Sequence, residues 1–354
     1  MISLDKKKNK LQQQKDGEKL LDSMNSFGME ESKIKQKKEE KKKHTSISSS
    51  NMSKSKKLYS FKLFLLILPF IILVLMFSYY PLYGWIYAFF DYRPPKPFAD
   101  SEFVGLKWFE SLVENPIKVK QITQVLKNTF VMSGITIATS WLPMIFAIFM
   151  NEIRSTKYRK FIQTATTLPN FISWVLVYSI AFSLFSSDGM MNSLLTSLNI
   201  IDEPILFLQS SKNVWFTQWL WLTWKNLGWV AIMYIAAMSG IDDEINQAAK
   251  VDGATKMQII WHITIPSLLP TYFVLLMLNI ANFLTNGMEQ YYVFQNAFNK
   301  EQIQVLDLYV YNLAMGSGSY SVSVALSILK SLVSVVLLFS VNKLSKKLRG
   351  EGIF

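Results

Sequence analysis

The chain of 354 residues is 50% hydrophobic and 18% charged, where a typical soluble domain is about a quarter charged; its net charge is +12 and its mean hydropathy +0.21. The charge is uneven, since residues 1–57 hold 16 Lys against 8 Asp or Glu, a net +8, and the apolar, aromatic-rich remainder carries only +4. These figures argue against a soluble enzyme and against a nucleic-acid-binding body; the absence of Cys removes disulfides and thiolate zinc sites, and His44 with His262 cannot build a histidine metal cluster.

In chain order, residues 1–57 are expected to be a basic, disordered cytoplasmic tail, because their Lys, Glu, Ser and Gln cannot bury a core. Leu20, Met24 and Phe27 have helical spacing and form a weak amphipathic patch. The tail is either a solvated arm that reinforces topology or one that touches anionic lipid or a partner subunit, each basic residue contributing about 1 kcal/mol at the surface. It does not read as a signal peptide, since the first apolar run begins about 60 residues in.

Residues 58–354 are expected to be an all-α integral membrane domain. Six stretches are long and apolar enough to cross a bilayer core: Phe61–Tyr80, Thr129–Met150, Ile162–Phe185, Val214–Met238, Ser267–Gly287 and Val322–Val341. Unpaired backbone groups are not tolerated in lipid, so each is expected to be a helix, with Pro69, Pro143 and Pro169 as bends. Arg154, Lys157, Arg159 and Lys160 after the second stretch, and Lys343, Lys346, Lys347 and Arg349 at the end, place these segments and both termini inside. Segments 81–128, 186–213 and 288–321 then lie outside.

The 241–266 connection is long for a membrane bundle and carries structure signals. Asp242 and Asp243 can cap a helix, Gln247-Ala248-Ala249-Lys250 favours one, and Asp252-Gly253 ends it. A second helix is expected over about Ala254–Ile263, broken by Pro266. The small Ala248, Ala249, Gly253 and Ala254 would let another protein approach closely, although a short interfacial helix reads similarly.

Gln247-Ala-Ala-x-x-Asp252-Gly253-Ala254, with Pro266 twelve residues later, resembles the coupling motif of ATP-binding-cassette importer permeases. Asn151-Glu-Ile-Arg154, Leu168-Pro-Asn-Phe-Ile-Ser-Trp174, Trp224-Lys-Asn-Leu-Gly-Trp229, Ala236-Ala237, Trp261-His-Ile-Thr264 and Asn342-Lys-Leu344 resemble carbohydrate-uptake permeases of the maltose-transporter type. The resemblance is strongest to the Gram-positive group associated with complex oligosaccharides, including uronic-acid-containing ones. It covers about Tyr59 to Phe354 and leaves out the tail. Gln247 departs from the family's Glu and loses a negative charge near a helix start.

This resemblance implies a type I ABC importer permease fold in a bacterial plasma membrane. It also implies a second homologous permease, two ATPase subunits that bind ATP and Mg, an extracellular solute-binding protein and an oligosaccharide substrate. No cofactor or metal is implied in this chain, which has no phosphate-binding Gly-x-x-x-x-Gly-Lys loop and is not itself catalytic. Gln247, Ala248, Ala249, Asp252, Gly253, Ala254 and Pro266 would carry ATPase coupling.

Candidates for the substrate path are Trp224, Lys225, Asn226 and Trp229 in the fourth stretch and Asn279, Asn282 and Asn286 in the fifth. The three asparagines are spaced 3 and 4, hence on one helix face; they contact sugar or bond between helices. Lys225 and Lys330 are charges deep in apolar stretches, which marks function by default. Lys225 either pairs with a substrate carboxylate or holds backbone carbonyls. His262 reads as structural.

An ion-coupled secondary carrier is the main alternative, but it usually requires membrane-embedded carboxylates and the six stretches hold none. A membrane-embedded enzyme would need clustered Asp, Glu or His. The outer Asp188, Asp202, Glu203, Glu289 and Asp307 show no such spacing.

Overall fold

The computed structural model describes residues 59–349. The tail expectations, including the Leu20, Met24 and Phe27 patch, lie outside the described residues. Two compact units divide at Tyr83 and Gly84.

The described chain is helical, apart from one isolated β-bridge between Phe90 and Phe103. Helix α1 covers Tyr59–Phe89, with a π-helical turn at Leu75–Tyr79 and 3-10 geometry from Tyr80. The second unit continues with α2 (Lys107–Glu114), α3 (Pro116–Ala138), α4 (Leu142–Glu152), α5 (Thr156–Thr167), α6 (Trp174–Phe185), α7 (Met190–Ser197) and α8 (Val214–Met238). It ends with α9 (Asp243–Val251), α10 (Lys256–Ile259), α11 (Ile265–Ala281), α12 (Glu289–Phe294), α13 (Lys300–Ile303), α14 (Leu306–Tyr311) and α15 (Tyr320–Arg349).

By length and composition, five helical stretches can cross a membrane: Tyr59–Phe89, Pro116–Glu152, Trp174–Ser197, Lys256–Ala281 and Tyr320–Lys347. The α8 helix, at 25 residues, is also long enough to cross, but its tryptophans with Gln218, Lys225 and Asn226 make it less apolar.

Three expected helices are interrupted. The second stretch breaks at 139–141, where Pro143 sits at the start of α4: proline lacks the N–H a helix interior needs and favours a first turn. The third stretch breaks at 168–173. Pro169 begins a 3-10 turn, Leu168–Phe171, and Ser173 caps α6 by accepting the Leu176 N–H. The fifth ends at Ala281, and 282–287 is unwound.

Pro266 does not break the chain before the fifth stretch. It sits in the first turn of α11, and the π-helical turn Ile260–Thr264 just before it runs α10 into α11. A wider turn relieves the carbonyl that proline's ring would strike. The expected second helix, Ala254–Ile263, is therefore the α-helical turn of α10 followed by this π turn.

Two apolar clusters fix the surroundings of the candidate sites. Met144, Ala147 and Ile148 of α4 pack with Ala231, Tyr234 and Met238 of α8 and Leu268 of α11. Met132 of α3, Val177 and Ala181 of α6, and Tyr291 and Phe294 of α12 form the other.

Candidate functional site

A cavity of about 330 Å³ lies between the α3–α4 turn, α8 and the end of α11. Four sequence-derived candidates line it: Asn226, Asn279, Asn282 and Asn286. The last three do not share one helix face, because Asn282 is the C-cap of α11 and Asn286 lies in the unwound stretch. They meet in the cavity because the chain leaves the helix there.

Each amide is differently held. Asn226 donates to Leu222 O at 3.1 Å and accepts from Asn170 at 2.9 Å. Asn282 donates back to Leu278 O at 2.9 Å, and Asn286 donates to Ser133 Oγ at 2.9 Å. The Asn279 amide, which lines the cavity, has no hydrogen-bond partner among the described residues. The other polar lining comes from Ser133, Thr136, Thr139, Ser140, Thr223 and Thr285, with Trp219 and Tyr234 supplying aromatic surface. Trp219 donates its indole N–H to Thr139 Oγ1 at 2.9 Å. Among the described residues, no carboxylate, Lys, Arg or His lines this cavity.

The other three candidates stand elsewhere. Trp224 packs edge-on against Trp221, and Trp229 edge-on against Phe171; both are about half exposed. Lys225 is 7% exposed and points into the break in the third stretch. Its ammonium donates to Pro169 O and Asn170 O, each at 2.9 Å, and to Ile172 O, and stands over the Trp174 ring. The chain unwinds here and leaves carbonyls open to a side-chain donor, although Pro169 O also accepts the Ile172 N–H at 3.2 Å, and one cation serves all three. Lys225 is therefore a backbone clamp and not a cavity residue.

Sequence reading missed the α3 contribution. Ser133, Thr136 and Ser140 recur at steps of 3 and 4 in an apolar run, the signal that singled out the asparagines.

The 241–266 segment forms a second site. Asp242 caps α9 by accepting the Glu244 N–H at 2.9 Å. The helix ends in a Schellman turn: Ala254 N–H donates to Ala249 O at 2.9 Å and Gly253 N–H to Lys250 O at 3.1 Å. Gly253 has φ +80°, a conformation that side chains with a Cβ rarely adopt. Thr255 and Gln258 make a capping box that starts α10. Lys256 pairs with Glu152 at 2.7 Å, tying this elbow to the end of α4. Gln247, Ala248, Asp252 and Gly253 are exposed, and Ala249 and Ala254 line a hollow of about 320 Å³ beside His262. The His262 ring bonds to Gln258 O at 3.0 Å. Pro266 lies beyond the elbow, in the first turn of α11.

Lys330 forms an ion pair with Asp307. Between α11 and α15, burial pushes the phenols of Tyr291 and Tyr309 up, so both are neutral near pH 7.

The sequence pattern of the binding-protein-dependent transport system inner membrane component matches residues 142–350. The chain belongs to that family. It is a multi-pass protein of the plasma membrane, and the ion-coupled carrier reading falls. Among relatives of this inner membrane component, protein LplB of Bacillus subtilis is 37% identical over 296 residues, 82% of this chain and 91% of LplB. The polygalacturonan/rhamnogalacturonan transport system permease protein YteP of the same organism is 37% identical over 296 residues, covering 82% and 90%. A chain from the crystal structure of a bacterial ABC transporter involved in import of the acidic polysaccharide alginate superposes with a TM-score of 0.72. It is 29% identical over 82% of this chain and 97% of that one. The same alginate transporter with its pentasaccharide-bound periplasmic protein gives a TM-score of 0.73. This inner membrane component thus has the type I ABC importer permease fold.

Proposed function

We propose that this chain is one permease subunit of an ATP-driven importer that moves an oligosaccharide, of the uronic-acid-containing class, into the cell by alternating access. The observation that carries the reading is the convergence of Asn226, Asn279, Asn282 and Asn286 on one cavity. Each amide both donates and accepts, which matches sugar hydroxyls, and about 330 Å³ falls within the roughly 300–1,000 Å³ of ligand pockets. The sugars named for YteP and for the alginate transporter support the acidic class. The uncharged lining means that this cavity reads hydroxyls, and that recognition of acid groups falls to the binding protein or the partner permease.

The partners are a second homologous permease, two ATPase subunits that bind ATP and Mg, and an extracellular solute-binding protein. The helix α8 joins the five apolar helical stretches to make six spans, with both termini and the 151–160 turn inside. The elbow formed by Gln247, Ala248, Ala249, Asp252, Gly253 and Ala254 enters a cleft on an ATPase subunit, and Pro266 sits where its motion enters α11. The exposed small residues and the fixed Schellman turn support this reading.

The test is uptake by vesicles holding both permeases and both ATPases, with binding protein and labelled oligosaccharides outside. Uptake that needs ATP and the binding protein is expected, with a uronate-containing oligosaccharide preferred. Uptake driven by an ion gradient without ATP would refute the proposal.

A further inference from the structure

Asp307 joins three separate parts of the chain. One carboxylate oxygen takes the Lys330 ammonium from α15, and the other accepts the Gly287 N–H at 2.9 Å. The two charged side chains are only 17% and 16% exposed. Leu306, the neighbouring residue, donates its N–H to Thr129 Oγ1 of α3 at 2.9 Å, which fixes where the carboxylate stands.

Gly287 closes the unwound stretch 282–287 with φ +73°. The other side of that stretch is held by Ser133, which donates to Phe283 O and accepts from Asn286. The stretch is also a partition. Thr285 lines both the asparagine cavity and a second cavity of about 380 Å³, whose wall includes Asp307, Ser327, Lys330, Ser331 and Ser334. The asparagine cavity therefore has one wall that is not helix, and an ion pair stands behind it.

We propose that the Asp307–Lys330 pair is a latch that sets where the 282–287 stretch stands, and so how Asn282, Thr285 and Asn286 face the transported sugar. Asp307 and Lys330 are positioning residues and do not touch the sugar. The sugar half of this inference rests on the transport reading above; the latch half does not. Neutralising one member strands the other charge in a buried place, so the Asp307 side chain must reorient to recruit new partners or lose its hold as an anion, and the Gly287 N–H it carries moves with it.

The chain has no Cys, so Thr285→Cys provides its one thiol. The assembled importer in membrane vesicles is labelled with a water-soluble maleimide, in the parent and with Asp307→Asn or Lys330→Met added. Both additions are expected to change the labelling rate about fivefold or more; made in the unsubstituted, Cys-free chain, they are expected to raise the half-saturating oligosaccharide concentration about tenfold, with the maximal rate nearly unchanged. Thr196→Cys on α7 is the control and is expected to label at the parent rate. Unchanged labelling at Thr285→Cys, or an equal change at Thr196→Cys, overturns the latch. Where the neutral variants fail to accumulate, Asp307→Glu displaces the Gly287 contact while keeping the charge, and the same two outcomes decide. Altered labelling without ATP-dependent uptake by the unsubstituted, Cys-free chain leaves the latch standing and removes the transport reading.

Discussion

The Cβ that Gly228 lacks would stand 2.3 Å from the carbonyl oxygen of Thr166 and 2.4 Å from its carbonyl carbon. The obstacle is backbone, which cannot swing aside. One turn earlier, Lys225 holds the carbonyls of Pro169, Asn170 and Ile172, and Asn226 accepts from Asn170. Three near neighbours on α8 thus pin the break in the third stretch, and one of them is also a cavity residue.

Gly228→Ala is the smallest change that tests this contact. It should lower the unfolding midpoint of the detergent-solubilised subunit by about 2–4 °C, since overpacking against a fixed neighbour costs about 1–3 kcal/mol. Gly134, whose Cβ would meet nothing within 4 Å, is the control: Gly134→Ala should hold or raise the midpoint.

Lys225→Met keeps the aliphatic stem and removes the ammonium. The carbonyls of Asn170 and Ile172 lose their donor, at about 1–3 kcal/mol for each one left unpaired, while Pro169 O keeps the Ile172 N–H, so the variant should accumulate poorly and unfold earlier. What protein remains should take up neutral and acidic oligosaccharides with the same loss. A loss confined to acidic sugars would return Lys225 to the substrate path.

Asn279 has an amide without a hydrogen-bond partner among the described residues and a place on the cavity wall. Asn279→Ala should raise the half-saturating concentration for uptake about fivefold, the equivalent of one hydrogen bond worth about 1 kcal/mol, and leave the unfolding midpoint alone. Titrating uptake against sugar concentration separates the two effects. Trp229→Ala, outside the cavity, should leave the half-saturating concentration unchanged.

Gly253→Asp should abolish uptake while the protein still reaches the membrane. Asp is among the side chains that tolerate positive φ, and a Cβ there would meet nothing within 4 Å, so the elbow itself still forms. The added carboxylate projects where an ATPase would approach. Co-purification of the ATPase should fall, and normal uptake would remove the coupling role of this turn.

Hydropathy located five apolar helical stretches, with the fourth expected one, α8, falling short of them in apolarity, and the capping residues located the elbow: Asp242, Gly253 and the Ala pair all lie where their chemistry required. Both signals are local. What was not legible is where helices stop inside the membrane. Proline spacing alone predicts bends at Pro143 and Pro169, yet both begin new turns; at Pro169 this is possible because Lys225 and Ser173 satisfy groups that unwinding exposes. The pairing of Lys330 with Asp307 joins residues on different elements, so no local spacing announces it. The Asn279, Asn282 and Asn286 set was chosen on helical periodicity, although the helix ends within it; they meet in the cavity for a different reason.

The π turn at Ile260–Thr264 sets more than the accommodation of Pro266. Lys256 to Ala281 is one continuous rod of 26 residues. An additional residue in one turn advances the azimuth of everything after it by about 100° relative to a regular α-helix. Asn279 thus faces the cavity at a bearing that a uniform helix starting from the Thr255 cap would not give it. The wide turn is a fixed angular offset between the Thr255 cap and Asn279, built into the backbone between the elbow and the cavity wall.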